Sequence, residues 1–273
     1  MTANDPLKPH PRAEITEKEF AASDPLVALT NLKYDRTRFR LTTASKIHFR
    51  DVSFKYCIFD DCYFRDCRFE DCDFTGAVFR NSVLRGSTFD GSRFNYCRFA
   101  HTFVPLAILE RHMPGYENVA LELARALRVN YAQIGDSDGV NKAISAELAA
   151  TRIHLEKVVW SNEGYYRNKH SGWNRIVKAL EYYSFRSLDF IWGNGESLPK
   201  LIRTTAIIYA IFAVCLARTG VGFTTALRDT FILAWGSYGN AAQIPILAAS
   251  AAASRTLLLG LFIALLVRRL SRR

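Results

Sequence analysis

Most signatures of catalysis are missing from this chain of 273 residues. Its six histidines, His10, His48, His101, His112, His154 and His170, are scattered. No nucleophile motif, phosphate-binding loop or metal-ligand spacing accompanies them. The sequence therefore predicts no enzyme, cofactor or metal site. Four of its cysteines, Cys57, Cys62, Cys67 and Cys72, follow one another at a strict spacing of five, which is the spacing of a repeat rather than of a paired zinc ligand set. The first thirty residues are polar and hold no apolar leader core, so 1–30 reads as a flexible tail. An acidic excess is also missing. The formal charge is +10, and residues 46–100 carry nine Lys/Arg against eight Asp/Glu. That balance argues against imitation of duplex DNA, which needs a strongly negative surface, and nucleic acid is not expected as a partner.

What is present is a period of five. Phe49, Phe54, Phe59, Phe64, Phe69, Phe74, Phe79, Phe89, Phe94 and Phe99 share one register, with Leu84 in its single gap. Two positions before each lies a small or β-branched residue: Ile47, Val52, Cys57, Cys62, Cys67, Cys72, Ala77, Ser82, Ser87, Ser92 and Cys97. Five is neither the helical 3.6 nor the strand period of 2. It suits a chain that turns a corner every five residues and points two of each five inward. One such unit cannot bury its Phe alone, so coils must stack. Upstream, Tyr34 and Phe39 keep the register but Ala44 does not, so any earlier coil is expected to be degenerate.

The pattern resembles the pentapeptide-repeat family. That resemblance implies a right-handed quadrilateral β-solenoid over 31–104, with four units to a coil. Phe54, Phe74 and Phe94 then form one interior stack, and Phe49, Phe69 and Phe89 another. The repeat cysteines point inward from different sides. Cys57 and Cys97 share a column two coils apart, roughly 10 Å at strand spacing, beyond disulfide reach. They read as buried core thiols, which favours a reducing compartment.

A helical linker is expected over 105–198. Val119, Leu123, Ala126, Leu127 and Tyr131 mark a helix over ~116–134, and Ile144, Leu148, Ile153 and Val158 mark a second over ~140–161. Gly135 to Gly139 separates them as the turn of an αα-hairpin. Asp136, Asp138 and Glu147 match part of a calcium loop, but Val140 and Asn141 stand where a ligand and a glycine belong. A capped turn fits better. Over 172–192, Trp173, Ile176, Val177, Leu180, Tyr183, Leu188 and Ile191 recur at helical spacing opposite Arg175, Lys178 and Arg186. This is either an interfacial helix or one packed on the hairpin.

Residues 199–273 read as a two-span transmembrane helical hairpin. The first span, Leu201–Ala217, has one charge, Arg203. The second, Ile244–Val267, has 24 residues, about 36 Å of helix, and one charge, Arg255. Arg268, Arg269, Arg272 and Arg273 follow. By the positive-inside rule that end stays cytoplasmic, and two spans return the N-terminal part to the same side. The expected setting is a bacterial inner membrane, with both termini cytoplasmic and the lipid bilayer as a partner.

Between the spans, Thr224–Trp235 predicts a short amphipathic helix, a candidate pore helix. Gly236, Ser237, Tyr238, Gly239 and Asn240 follow, then Pro245. This order, and the closing Leu259–Arg269, resemble the two-helix pore module of potassium-channel-like proteins, known in bacteria joined to pentapeptide repeats. The resemblance implies a homotetramer around a monovalent-cation pore, with Gly236–Asn240 as filter candidates and Asp229 and Arg255 as vestibule charges. Ser237 separates the first Gly from Tyr238, and Asn240 replaces the usual acid, so the filter is degenerate. Two functions follow as expectations. One is a degenerate ion-channel-like membrane protein with a cytoplasmic repeat module. The other is a non-conducting membrane-anchored scaffold whose solenoid binds a cytoplasmic protein.

Overall fold

A computed structural model describes residues 13–20, 28–170, 172–236 and 245–270. The chain divides into two compact units, 1–157 and 158–273.

The first unit is built on a β-solenoid. Its short strands are β1 Ala13–Thr16, β2 Glu19–Phe20, β3 Leu29–Thr30, β4 Thr37–Arg40, β5 Thr43–Ser45, β6 His48–Arg50, β7 Ile58–Asp60, β8 Tyr63–Arg65, β9 Arg68–Glu70, β10 Val78–Arg80 and β11 Arg98–Ala100. They pair in parallel along three sides, in the orders β1-β4-β7-β10-β11, β2-β5-β8 and β3-β6-β9. Single bridges Lys33↔Ser53↔Asp73↔Arg93 form the fourth side. Register partners such as Phe39, Phe59, Phe79 and Phe99 recur every four repeats, so the coil is four-sided.

The period of five sets the interior. Phe54, Phe74 and Phe94 stack at 5.1 Å between centroids, tilted 10° and 8°. Phe49, Phe69 and Phe89 stack at 5.0 and 5.1 Å. Phe59, Phe79 and Phe99 form a third column. Phe64 and Leu84 occupy the fourth, and all these side chains are buried. The small residues two positions earlier solve a polar problem at the corners. Ser82, Ser87 and Ser92 accept the backbone N–H of Cys62, Cys67 and Cys72 one coil below, at 3.0–3.1 Å. The same hydroxyls donate to the carbonyls of Phe59, Phe64 and Phe69. A buried backbone group left unpaired would cost about 1–3 kcal/mol, so a small hydroxyl or thiol suits each corner.

The start of the chain differs from the expected flexible tail. β1 pairs with β4, Ile15 opposite Phe39, and β2 with β5, Phe20 opposite Ala44. The step between these partners is 24 residues, whereas Leu29 to Phe49 is 20. The first coil is four residues longer, so its inward positions fall out of the period. Ala44 is fully in register and buried. Its small side chain leaves room for the Phe20 ring, which lies 5.5 Å from Phe49 and 6.1 Å from Phe39.

Helices then close the far end: α1 Ala107–Arg111, α2 Glu117–Gln133 and α3 Ser137–Trp160. The last coil would expose its rings, and solenoids need a capping element there. Leu123, Leu127, Tyr131 and Ala143 join the same apolar cluster as the phenylalanines. Asn130 makes two hydrogen bonds to the backbone of Thr102, at 2.9 and 2.7 Å. The Tyr131 hydroxyl donates to the Val104 carbonyl at 3.2 Å. The expected linker 105–198 is therefore not one segment, because its first half is the solenoid's cap. The α2–α3 turn is a capped one: Asp136 Oδ1 accepts the Gly139 N–H at 2.9 Å. Gly139 lies against the Tyr131 ring, where a Cβ would clash. Ile153 is exposed, and Leu155 is buried in its stead.

The second unit holds α4 Gly164–Lys169, α5 Trp173–Trp192, α6 Leu198–Ala217, α7 Phe223–Ala234 and α8 Pro245–Leu270. No residue of α5 is buried, although Trp173 and Leu180 are large and apolar. Helices α6 and α8 are long and apolar enough to cross a membrane. Only 22% and 11% of their apolar windows are buried.

Candidate functional site

Helices α6, α7 and α8 form a hairpin with a short helix folded between its arms. α7 packs chiefly on α6 and less on α8. Its buried face carries Ala226, Asp229, Thr230 and Leu233. Thr230 satisfies its hydroxyl locally by donating to Ala226 at 2.9 Å. The buried Asp229 lies about one and a half turns before the end of α7. The open ends of the arms are clasped: Arg268 of α8 pairs with Glu196, just before α6, at 3.0 Å. Arg268 also donates to the Asn194 carbonyl. Between the helices runs an open apolar groove of about 1420 Å³ lined by Leu201, Tyr209, Phe231, Trp235, Leu259 and Phe262 among others.

Of the pore-segment candidates, Gly236 and Arg255 come together. Gly236 has φ +99°, and Nη1 of Arg255 occupies the place a Cβ on residue 236 would take. The positive φ favours a glycine here, while the tip of the flexible Arg255 side chain could swing aside from a Cβ. The N–H groups of Trp235 and Gly236 bond back to Ile232 and Leu233, each at 3.0 Å, closing the last turn of α7. The guanidinium thus stands at the helix end where carbonyls accumulate negative potential. Ser237, Tyr238, Gly239 and Asn240 lie outside the described residues.

The outer face of the solenoid offers a second candidate surface. Tyr63, Val83 and Phe103 follow one another along one exterior column. Tyr63 and Phe103 are 43% and 42% exposed. The Arg85 guanidinium lies 5.1 Å from the Phe103 ring centroid. Aromatic and arginine side chains together are typical of interface cores. Several outer charges elsewhere on the solenoid pair off. Asp60 is held by Arg38 at 2.7 Å and Arg80 at 3.5 Å. Hydrogen bonding from Arg50, with His48 and Arg68 beside it, holds the Glu70 carboxyl below its usual range.

The repeat cysteines are core thiols. Burial pushes Cys57 up to about 12, and Cys62, Cys67 and Cys72 up to about 11. Cys97 is raised by the same cause. Thiolate chemistry is thereby suppressed at neutral pH. Cys215, on α6, is exposed. Among the described residues no His/Cys/Asp/Glu group is arranged to hold a metal ion.

Sequence reasoning missed Glu196 and Lys200, and it read Arg203 and Arg268 only as charges flanking apolar helices, not as partners in the contacts around the start of α6. Its only hint was the alternation of charge with apolar residues around position 200.

Residues 34–78 match a family model described as pentapeptide repeats (9 copies), and residues 72–111 match one described as pentapeptide repeats (8 copies). Residues 34–111, within the first unit, are thus pentapeptide repeats. Two solved structures of QnrB1, described as a plasmid-mediated fluoroquinolone resistance protein, are similar to part of it. One is 16% identical, with a TM-score of 0.13, covering 35% of this chain and 55% of that one. The other is 13% identical, with a TM-score of 0.12, covering 33% and 80%. The chain therefore spans about half the length of the first of these. No curated protein sequence matches it.

Proposed function

We propose that this protein is a membrane-anchored interaction module. Helices α6 and α8 cross the bilayer, α7 folds between them, and the solenoid presents a binding surface for a cytoplasmic protein. The observation that carries this reading is the Arg268–Glu196 clasp. It puts the start of α6 and the end of α8 at one level, as two antiparallel spans require. The apolar surface is also on the outside: Ile211, Leu257, Ile263 and Val267 are each more than half exposed. Exposed apolar area of this extent marks a membrane or a partner surface. The arginines at the end of α8 favour a cytoplasmic location for both ends, in an inner membrane.

The test is fractionation. The full chain should stay in the membrane pellet through an alkaline carbonate wash, and release into the supernatant refutes the anchor. For the solenoid, Tyr63→Ala with Phe103→Ala should lower the yield of a cross-linked cytoplasmic protein. An unchanged yield removes that surface from the reading.

A second reading is favoured by the order span, short helix, glycine turn, span. It is a tetrameric pore for a monovalent cation, built on the resemblance to the two-helix pore module. Potassium, sodium and chloride flux into liposomes carrying the purified protein tests it, together with the oligomeric state in detergent. Absence of flux, or a monomer or dimer, leaves the scaffold.

A further inference from the structure

The junction between α5 and α6 is a rigid elbow, and its inner side is basic. Helix α5 ends at Gly193 in the left-handed region, φ +66°, with the Gly193 N–H bonded to Asp189 at 3.0 Å. Ser197 caps α6, accepting the Lys200 N–H. Three contacts then lash the first turns of α6 to the last of α5. Thr204 Oγ1 donates to the Ile191 carbonyl at 2.9 Å. Lys200 Nζ pairs with Asp189 at 2.7 Å. Arg203 donates to the Phe190 carbonyl and lies 4.3 Å from the Phe190 ring centroid.

Inside this elbow is a concavity of about 490 Å³ lined by Tyr183, Arg186, Ser187, Phe190, Lys200 and Arg203 among others. Its one carboxylate, Asp189, is engaged by Lys200. Arg186 makes no ion pair with any described residue. Two guanidiniums, an ammonium and two hydroxyls thus converge with one compensated acid. Guanidinium groups bind phosphate in bidentate fashion, and Arg186 and Arg203 are both exposed among the residues that line the concavity, so an anion can reach them. The surroundings narrow the ligand's source. The exposed Ile202 adjoins Arg203, and the unburied apolar residues of α5 lead up to Tyr183. A soluble phosphate has no use for that apolar approach, whereas a phospholipid does. Basic pockets beside membrane helices are suited to anionic headgroups.

We propose that the α5–α6 elbow binds the phosphate headgroup of an anionic phospholipid. Arg186, Lys200 and Arg203 take the phosphate, and the lipid chains lie along the apolar sides of α5 and α6. This rests on the membrane anchoring proposed above, so the carbonate wash is run first on the same preparation. Recovery of the wild-type chain as a soluble protein would overturn the anchor and the lipid site with it.

The experiment is native mass spectrometry of the full chain in neutral detergent, titrated with phosphatidylglycerol or phosphatidylcholine. The wild type should retain phosphatidylglycerol at least tenfold better than phosphatidylcholine. Arg186→Gln with Arg203→Gln should abolish that preference, and Arg186→Lys with Arg203→Lys should keep most of it. Arg175→Gln, outside the elbow, should change nothing. Thermal melting of each variant shows whether it is folded. An equal preference in wild type and the double Gln variant, both folded, overturns the site. If inorganic phosphate at millimolar concentration displaces the lipid from wild type, the site is one for soluble phosphate and the lipid assignment is wrong.

Discussion

Arg268 and Glu196 are 72 residues apart in sequence and 3.0 Å apart in space. Their pair joins the last turns of α8 to the elbow before α6, so the hairpin is closed by charge at the end where its apolar packing stops. The Glu196 side chain is the less exposed partner, at 23% against 50%. Such a half-exposed pair contributes about 0.5–1 kcal/mol. A double-mutant cycle on Glu196→Gln and Arg268→Gln, read by thermal unfolding in detergent, should return a coupling of that size. Additive single effects would mean that the clasp does not hold the hairpin.

The phenylalanine columns are not equivalent. Phe74 is stacked between Phe54 and Phe94, each 5.1 Å away. Phe64 has Ala44 and Leu84 along its own column and only edge contacts to Phe59 and Phe69. Leucine already serves at position 84. Phe64→Leu should therefore cost about 1 kcal/mol. Phe74→Leu loses two stacked partners and should cost about 1–3 kcal/mol more. Equilibrium unfolding of the full chain, followed by circular dichroism, ranks the two. Equal costs would show that stacking adds nothing beyond buried area.

Five buried thiols make the solenoid sensitive to alkali. Below pH 9 the thiols are protonated in the folded and unfolded chain alike, and stability is undiminished. Above pH 9 the unfolded chain loses these protons. The folded chain keeps Cys62, Cys67 and Cys72 protonated up to about 11, and Cys57 up to about 12. Each such thiol costs about 1.4 kcal/mol of stability per pH unit in that window. Cys62→Ser, Cys67→Ser and Cys72→Ser together should move the alkaline unfolding midpoint upward. Serine already makes the same hydrogen bonds one coil above, at Ser82, Ser87 and Ser92. A midpoint that does not move would place the alkaline sensitivity elsewhere.

The solenoid was legible from sequence because one constraint, a ring pointing inward every fifth residue, repeats with few exceptions. It failed at the first coil, where four extra residues between Phe20 and Leu29 break the period while the pairing survives. Periodicity sees spacing along the chain, and the sheet needs only spacing across coils. The cap was half legible. Leu123, Leu127 and Tyr131 mark α2 as amphipathic, but nothing local says that its partner is the open end of the solenoid. Asn130 on that apolar face was the missed hint, since a buried amide needs backbone partners and Thr102 supplies them. In the second unit, helix positions followed from composition. The convergence of Arg186 with Lys200 and Arg203, and of Gly236 with Arg255, depends on how helices cross, which no short-range pattern records.

The contact of Arg255 with Gly236 separates the two functional readings. A guanidinium at the end of α7 faces the negative end of the helix dipole, worth about 0.3–2 kcal/mol. In a scaffold this is a structural tie: Arg255→Gln should lower the melting temperature of the full chain in detergent, with no ion flux in wild type or variant. In a pore, the same side chain repels permeating cations, and its neutralisation should raise potassium flux into liposomes severalfold. Gly236→Ala reports on the same contact from the other side. A Cβ there meets Nη1 of Arg255 and strains a backbone at φ +99°, so it should destabilise more than Arg255→Gln does. If Gly236→Ala melts like wild type, Arg255 does not rest on Gly236 and neither reading can lean on that contact.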